Sequence, residues 1–165
     1  HEVPVGFKHI AAVMRRESVT LGGEESGGMS MAGHIPEKDG ILAVLLVTRI
    51  WAESGQPLSG LLESIFERVG PAYSRRVDMA AGEELKRRVL ERLGSQPPDT
   101  WAGRRVERVV LLDGVKVLLE GGAWWLLRAS GTEPLMRLYL EAPELALLDH
   151  MEREVRAELE RLAVR

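Results

Sequence analysis

"RVERVVLLDGVKVLLEGGAWWLLRASGTEPLMRLYLEA", residues 105–142, alternates apolar and polar side chains over long segments and is interrupted at Asp113-Gly114 and Gly121-Gly122. A period of two turns one face of each segment toward a core and the other outward, and Asp-Gly and Gly-Gly pairs tolerate the positive backbone angles of tight turns. The stretch therefore predicts three strands, in segments 105–114, 115–130 and 135–142, assembled as an antiparallel sheet. Upstream of it, Tyr73 to Ala80 predicts a further strand and Gly82 to Leu93 a helix. Residues 94–103, "GSQPPDTWAG", predict a loop, because Pro97-Pro98 removes two backbone donors in succession. Downstream, Leu145, Leu148, Met151, Val155, Leu159 and Leu162 recur at helical spacing, so Pro143 to Val164 predicts one long amphipathic helix packed on the sheet.

The N-terminal part has a different pattern. Phe7 to Arg16 predicts a helix, and "SVTL" (18–21) a short buried strand running into the glycine-rich stretch "GGEESGG" (22–28). The segment 37–54 predicts a helix whose nearly continuous apolar run from Ile41 to Val47 implies burial on most sides. A second helix follows, with Pro57 near its start and Gly70 at its stop. Gly70-Pro71 is the expected domain boundary, giving domains 1–70 and 71–165. The expected fold class is α/β followed by α+β.

Composition narrows the functions available. Among 165 residues, 45% are hydrophobic, enough for a core, and 22 Lys and Arg nearly balance 25 Asp and Glu. The pairs Arg15-Arg16, Arg75-Arg76 and Arg104-Arg105 stand among acids, as solvated helix faces do, so neither a nucleic acid nor a membrane is an expected partner. There is no cysteine, which removes disulfides and thiolate metal sites and fits the expected cytoplasmic location. The four histidines lack metal-ligand spacing, and no apolar run approaches the ~20 residues of a membrane span, so a soluble chain is expected.

Two loops carry candidate chemistry. Glycine pairs flank Glu24, Glu25 and Ser26, which lets short side chains approach a ligand closely. If the segment is extended, Glu24 and Ser26 point the same way and can grip vicinal hydroxyls; a polar turn joining a strand to a helix is the competing reading. In the second loop, Arg128 presents a planar donor fork, Ser130 and Thr132 supply hydroxyls, and Gly131 lets backbone amides turn inward, as in a phosphate cradle. The alternative is a hairpin turn with Arg128 paired to a surface acid. Arg137, on the next strand, is read as exposed or ion-paired.

"GGEESGG", "GHIPEKDGI" and "RASGTEPLMRLYLE", in this order and at these separations, resemble the α-D-phosphohexomutases, the phosphoglucomutase/phosphomannomutase family. "VPVGFKHI" resembles the stretch preceding that family's sugar loop, so the likeness covers essentially the whole chain. It implies a partial α/β/α third domain followed by a small C-terminal domain with an antiparallel sheet packed by helices. It also implies an isomerase that interconverts hexose 1-phosphate and 6-phosphate through a phosphoserine and a hexose 1,6-bisphosphate, with Mg2+. Carried over residue by residue, it gives sugar-hydroxyl contacts to Glu24 and Ser26. It gives the phosphate that is not transferred to Arg128, Ser130, Gly131 and Thr132, and a catalytic cation facing the reacting group to Lys38. Glu25, Lys8 and His34 are read as structural.

The family's serine segment and its alternating aspartates have no counterpart here, so no metal ligand is expected in this chain. The expected partners are the hexose phosphate and the missing N-terminal domains of the same protein. This chain alone is expected to be inactive, and to self-associate through an uncovered helix face and sheet edge. A stand-alone phosphosugar-binding or regulatory module is the alternative, and a structural domain without a ligand is a third.

Overall fold

A computed structural model describes residues 1–163, and Val164, the expected end of the last helix, lies outside the described residues. The chain forms two compact units, His1–Ile65 and from Phe66 onward.

In the first unit, helix α1 (Phe7–Arg16) lies against strand β1 (Leu21–Gly23), which pairs antiparallel with β2 (Met29–Met31). Gly22 is required there: a Cβ would stand 2.5 Å from Ile10 Cγ2 and 2.9 Å from Met14 Sδ. The expected strand at 18–21 is displaced to 21–23, because Gly22 and Gly23 allow this close approach and pair with Ser30 and Met29. The competing reading of that stretch, a polar turn joining a strand to a helix, gives way to a hairpin loop, since β2 intervenes before the helix. Helix α2 (Gly40–Ser54) begins at Asp39, whose carboxylate accepts the N–H of Ile41 and Leu42, and ends at Gly55 in the left-handed region. Helix α3 (Leu58–Val69) starts in this unit, runs past its last residue, Ile65, and stops before Gly70, with φ +86°. The expected burial of α2 is not observed: none of its residues is buried, and Ile41 is 76% exposed. A two-stranded sheet is too small to cover so wide an apolar surface.

The second unit has one six-stranded sheet in the order β3-β8-β7-β6-β5-β4. Its strands are β3 (Tyr73–Ala80), β4 (Thr100–Trp101), β5 (Arg104–Val110), β6 (Val115–Leu119), β7 (Trp124–Ala129) and β8 (Leu135–Ala142), every neighbouring pair antiparallel. The three expected strand segments are therefore four strands, because Gly121 and Gly122, both at positive φ, turn the chain inside 115–130. The expected loop at 94–103 also contains β4, which turns into β5 through Ala102 and Gly103 at φ 48° and 73°. Two positive angles in succession match the twist of a two-residue hairpin. Glu154 accepts the Ala102 N–H at 2.6 Å and helps hold alanine in that conformation.

Helices α4 (Glu83–Ser95) and α5 (Leu145–Ala163) pack on the sheet. Val89 and Leu93 of α4 and Leu148, Met151 and Val155 of α5 close over Val117, Trp125, Leu127, Met136 and Leu138. At the sheet edge, Arg75 of β3 donates to Glu152 (2.7 Å) and pairs with Asp149 (2.8 Å), while Arg156 donates to Glu152 (2.8 Å). Burial pushes the Glu152 carboxyl up, and the hydrogen bonds from Arg75 and Arg156 together more than reverse this, leaving it below its ordinary value. A depressed folded-state value means the contribution is complete above the unfolded value of about 4.3 and is lost as pH falls through the folded one. Glu152→Gln is thus expected to flatten the loss of stability between about pH 5 and pH 3 in urea unfolding. An unchanged acid limb would remove Glu152 from that role.

Candidate functional site

Two loops, one in each unit, hold the residues singled out from sequence. The first joins β1 to β2 over residues 24–28. Glu24 N–H donates to Gly28 O (2.9 Å) and Gly27 N–H to Glu24 O (3.0 Å), a closed turn that Gly27 permits at φ +84°. The segment is therefore turned, not extended, and strand alternation does not align Glu24 with Ser26. Glu24 is half-buried, while Glu25 and Ser26 are exposed and meet no hydrogen-bond partner among the described residues.

Lys38 reaches this loop from the chain leading into α2. Its Nζ stands 3.8 Å from Glu24 Oε2, a loose ion pair, and its side chain is 59% exposed. A Cβ at Gly28 would lie 3.1 Å from Glu24 Oε2 and 3.3 Å from Lys38 Cδ, so the absence of a side chain there lets the two approach each other. The chain around Lys38 is tied down on both sides. Asp39 N–H donates to Met29 O (3.2 Å), His34 Nε2 lies 3.0 Å from Asp39 Oδ2, and the buried Ser30 hydroxyl donates to Ile35 O (2.7 Å). The Leu42 amide, then the His34 ring, hold the Asp39 carboxyl below the usual range. His34 thus braces the segment that carries Lys38.

The second loop leaves β7 at Arg128–Ala129 and returns in β8. Arg128 Nε donates to Asp113 Oδ2 at 2.8 Å, with both side chains partly buried. The surface-acid partner foreseen as the alternative therefore exists, and it orients the guanidinium through one edge. The Nη atoms have no partner among the described residues and remain available to an oxyanion. Ser130 is buried, and its Oγ accepts the Glu133 N–H at 3.2 Å, leaving its own hydrogen to donate. Gly131 and Thr132 are exposed, and their amides meet no acceptor among the described residues. Arg137 is ion-paired with Glu133 at 2.5 Å.

Residues 1–69 match the model of phosphoglucomutase/phosphomannomutase alpha/beta/alpha domain III, and residues 78–158 match that of the phosphoglucomutase/phosphomannomutase C-terminal domain. The chain belongs to the phosphoglucomutase/phosphomannomutase family. A phosphoglucosamine mutase of Cereibacter sphaeroides is 34% identical over 152 residues, 92% of this chain and 30% of that protein. A phosphoglucomutase/phosphomannomutase of Thermococcus kodakarensis is 28% identical over 138 residues, 84% of this chain and 28% of that one. The crystal structure of a Thermus thermophilus protein, named as a phosphomannomutase candidate, superposes with a TM-score of 0.72 at 33% identity. It covers 95% of this chain and 30% of that one. The chain thus spans about 30% of the length of the relatives it matches.

Within this family framework, sequence reasoning misses Asp113 and Lys86. Asp113 reads in sequence only as a turn residue. No basic residue of α4 stands out in the sequence, yet Lys86 shares a helix face with Val89 and Leu93, at spacings of three and four. That spacing is the available signal. Among the described residues, no group of three or more His, Cys, Asp and Glu could hold a metal ion, and no helix is long and apolar enough to cross a membrane.

Proposed function

We propose that this chain supplies the sugar-hydroxyl and phosphate contacts of a phosphohexomutase, an isomerase that interconverts hexose 1-phosphate and 6-phosphate through a phosphoserine and a hexose 1,6-bisphosphate. The supporting observation is the second loop, where the Gly131 and Thr132 amides have no acceptor among the described residues and Arg128 keeps an open guanidinium edge. Backbone amides and a fork of N–H donors suit the tetrahedral, triply acceptor face of a phosphate monoester. In the first loop, Glu24 supplies an acceptor that can take protons from adjacent hydroxyls in either substrate orientation, and exposed Ser26 adds a hydroxyl. Lys38 beside Glu24 supplies a cation to the charge that develops on the transferred group. In this reading the domain boundary falls at Gly70-Pro71. The nucleophilic serine and the Mg2+ ligands belong to the family's other domains, and no group of carboxylates among the described residues fits a metal.

Backbone amide NMR of the chain titrated with glucose 1-phosphate, with sulfate as control anion, tests both assignments. Sugar-specific shifts are expected at Gly23 to Gly28, and anion shifts at Arg128 to Thr132. Arg128→Ala is expected to weaken binding about tenfold or more, the usual range for losing charge-assisted hydrogen bonds. Unaltered binding in that variant would leave the second loop as a turn without a ligand. The names of the Cereibacter relatives favour an amino sugar as a second reading, so glucosamine 1-phosphate forms a parallel arm.

A further inference from the structure

In the second unit, α4 places a charged side chain where a core residue would stand. Lys86 is 3% exposed, and its Nζ donates to Glu83 Oε1 (2.7 Å), Ser130 O (3.0 Å) and Glu133 O (2.7 Å). An ammonium has three N–H donors, and here all three are used, so none is left for a ligand. Its influence on the loop must therefore pass through the two carbonyls it binds.

The first of these carbonyls matters most. The Ser130 C=O and the Gly131 N–H belong to one peptide unit, which is trans, so they point in opposite directions. Drawing the carbonyl inward to Nζ turns the amide outward. The second carbonyl, of Glu133, precedes Pro134, which has no N–H, and so pins the far end of the turn. Other bonds fasten the loop from behind: Ser130 N–H to Leu135 O (3.0 Å), Glu133 N–H to Ser130 Oγ (3.2 Å) and Ala81 N–H to Pro134 O (2.9 Å). Of the loop's amides, only those of Gly131 and Thr132 are left without acceptors among the described residues.

We infer that Lys86 is the positioning residue of the phosphate loop, holding the Ser130 and Glu133 carbonyls inward so that the Gly131 amide faces the oxyanion. The inference rests on the phosphate reading of that loop. A lysine that only filled space beneath α4 would affect stability and leave the anion site alone.

The test titrates the 165-residue chain, labelled with 15N, with inorganic phosphate, comparing wild type, Lys86→Met and Lys86→Arg. Lys86→Met is expected to weaken phosphate binding at the Gly131 and Thr132 amides about tenfold or more, with β5 and β6 amides unmoved. Lys86→Arg, which keeps a cation and several donors, is expected to recover most of it. Equal affinity in Lys86→Met and wild type overturns the inference, as does a loss accompanied by shifts throughout β5 and β6. If Lys86→Met does not fold, Lys86→Gln, which retains two N–H donors, takes its place under the same criteria. If the wild-type chain binds no phosphate, the phosphate reading fails, and Lys86 is judged by 15N relaxation of the unliganded loop. Increased mobility of the Gly131 and Thr132 amides in Lys86→Met supports the holding role; unchanged mobility overturns it.

Discussion

Gly114→Ala is expected to destabilise the second unit by about 3–5 kcal/mol, because two independent penalties meet at one residue. Gly114 has φ +98°, where a Cβ is strained in any surroundings, and that Cβ would stand 2.4 Å from Leu127 O and 3.1 Å from Arg128 Cα. The obstacles are backbone atoms of a paired strand, so relief requires moving β7. A unit of this size loses roughly 4–8 °C of melting temperature per kcal/mol, so a fall of more than about 12 °C is expected in a thermal melt. Gly103→Ala is the internal control. Its φ is +73° and nothing lies within 4 Å of the added carbon, so backbone strain acts alone and about 1 kcal/mol is expected. Equal effects of the two substitutions would show that the contact with β7 yields easily. Because the displaced atoms belong to Arg128 and its neighbour, Gly114→Ala is also expected to weaken anion binding at Arg128 in whatever fraction stays folded.

Trp125→Ala is the second large effect. Trp125 is fully buried, and its ring meets Trp101 edge-on, with centroids 5.0 Å apart and planes at 73°. This contact fastens short β4 to the body of the sheet. Truncating a buried tryptophan costs about 3–5 kcal/mol through lost transfer energy and the cavity left behind. Trp125→Phe is expected to cost far less than the cavity variant. It keeps an aromatic ring facing Trp101 and removes an indole N–H that is buried without a partner, a group whose desolvation is otherwise unrelieved. Urea unfolding followed by fluorescence of the remaining tryptophans measures both. A loss below about 1 kcal/mol for Trp125→Ala would mean that the neighbouring side chains collapse into the space.

The candidate site was partly legible in the sequence, and the line between what was legible and what was not is physical. Arg128, Ser130, Gly131 and Thr132 lie within the single stretch 128–132, so their juxtaposition is local. Their mode of action is not: Ser130 proved buried and bonded within the loop, and Arg128 proved oriented by Asp113, fifteen residues away. Glu24 and Ser26 are close in sequence, yet the relation expected between them assumed an extended segment. Gly27 at positive φ closed it into a turn.

By itself the sequence determined the elements whose signal is periodic: α1, β3, α4 and α5, the strands of 105–142, and the turns at Asp113-Gly114 and Gly121-Gly122. Alternation and helical spacing state which face of an element is apolar, and glycine states where the chain can reverse. They do not state what an element packs against. Only the tertiary structure paired β3 with β8, some sixty residues later, added β2 and β4, and left the apolar face of α2 uncovered. It alone turned Lys86 inward, because a buried ammonium is stable only where three acceptors converge on it. Two of those acceptors come from a loop more than forty residues away along the chain.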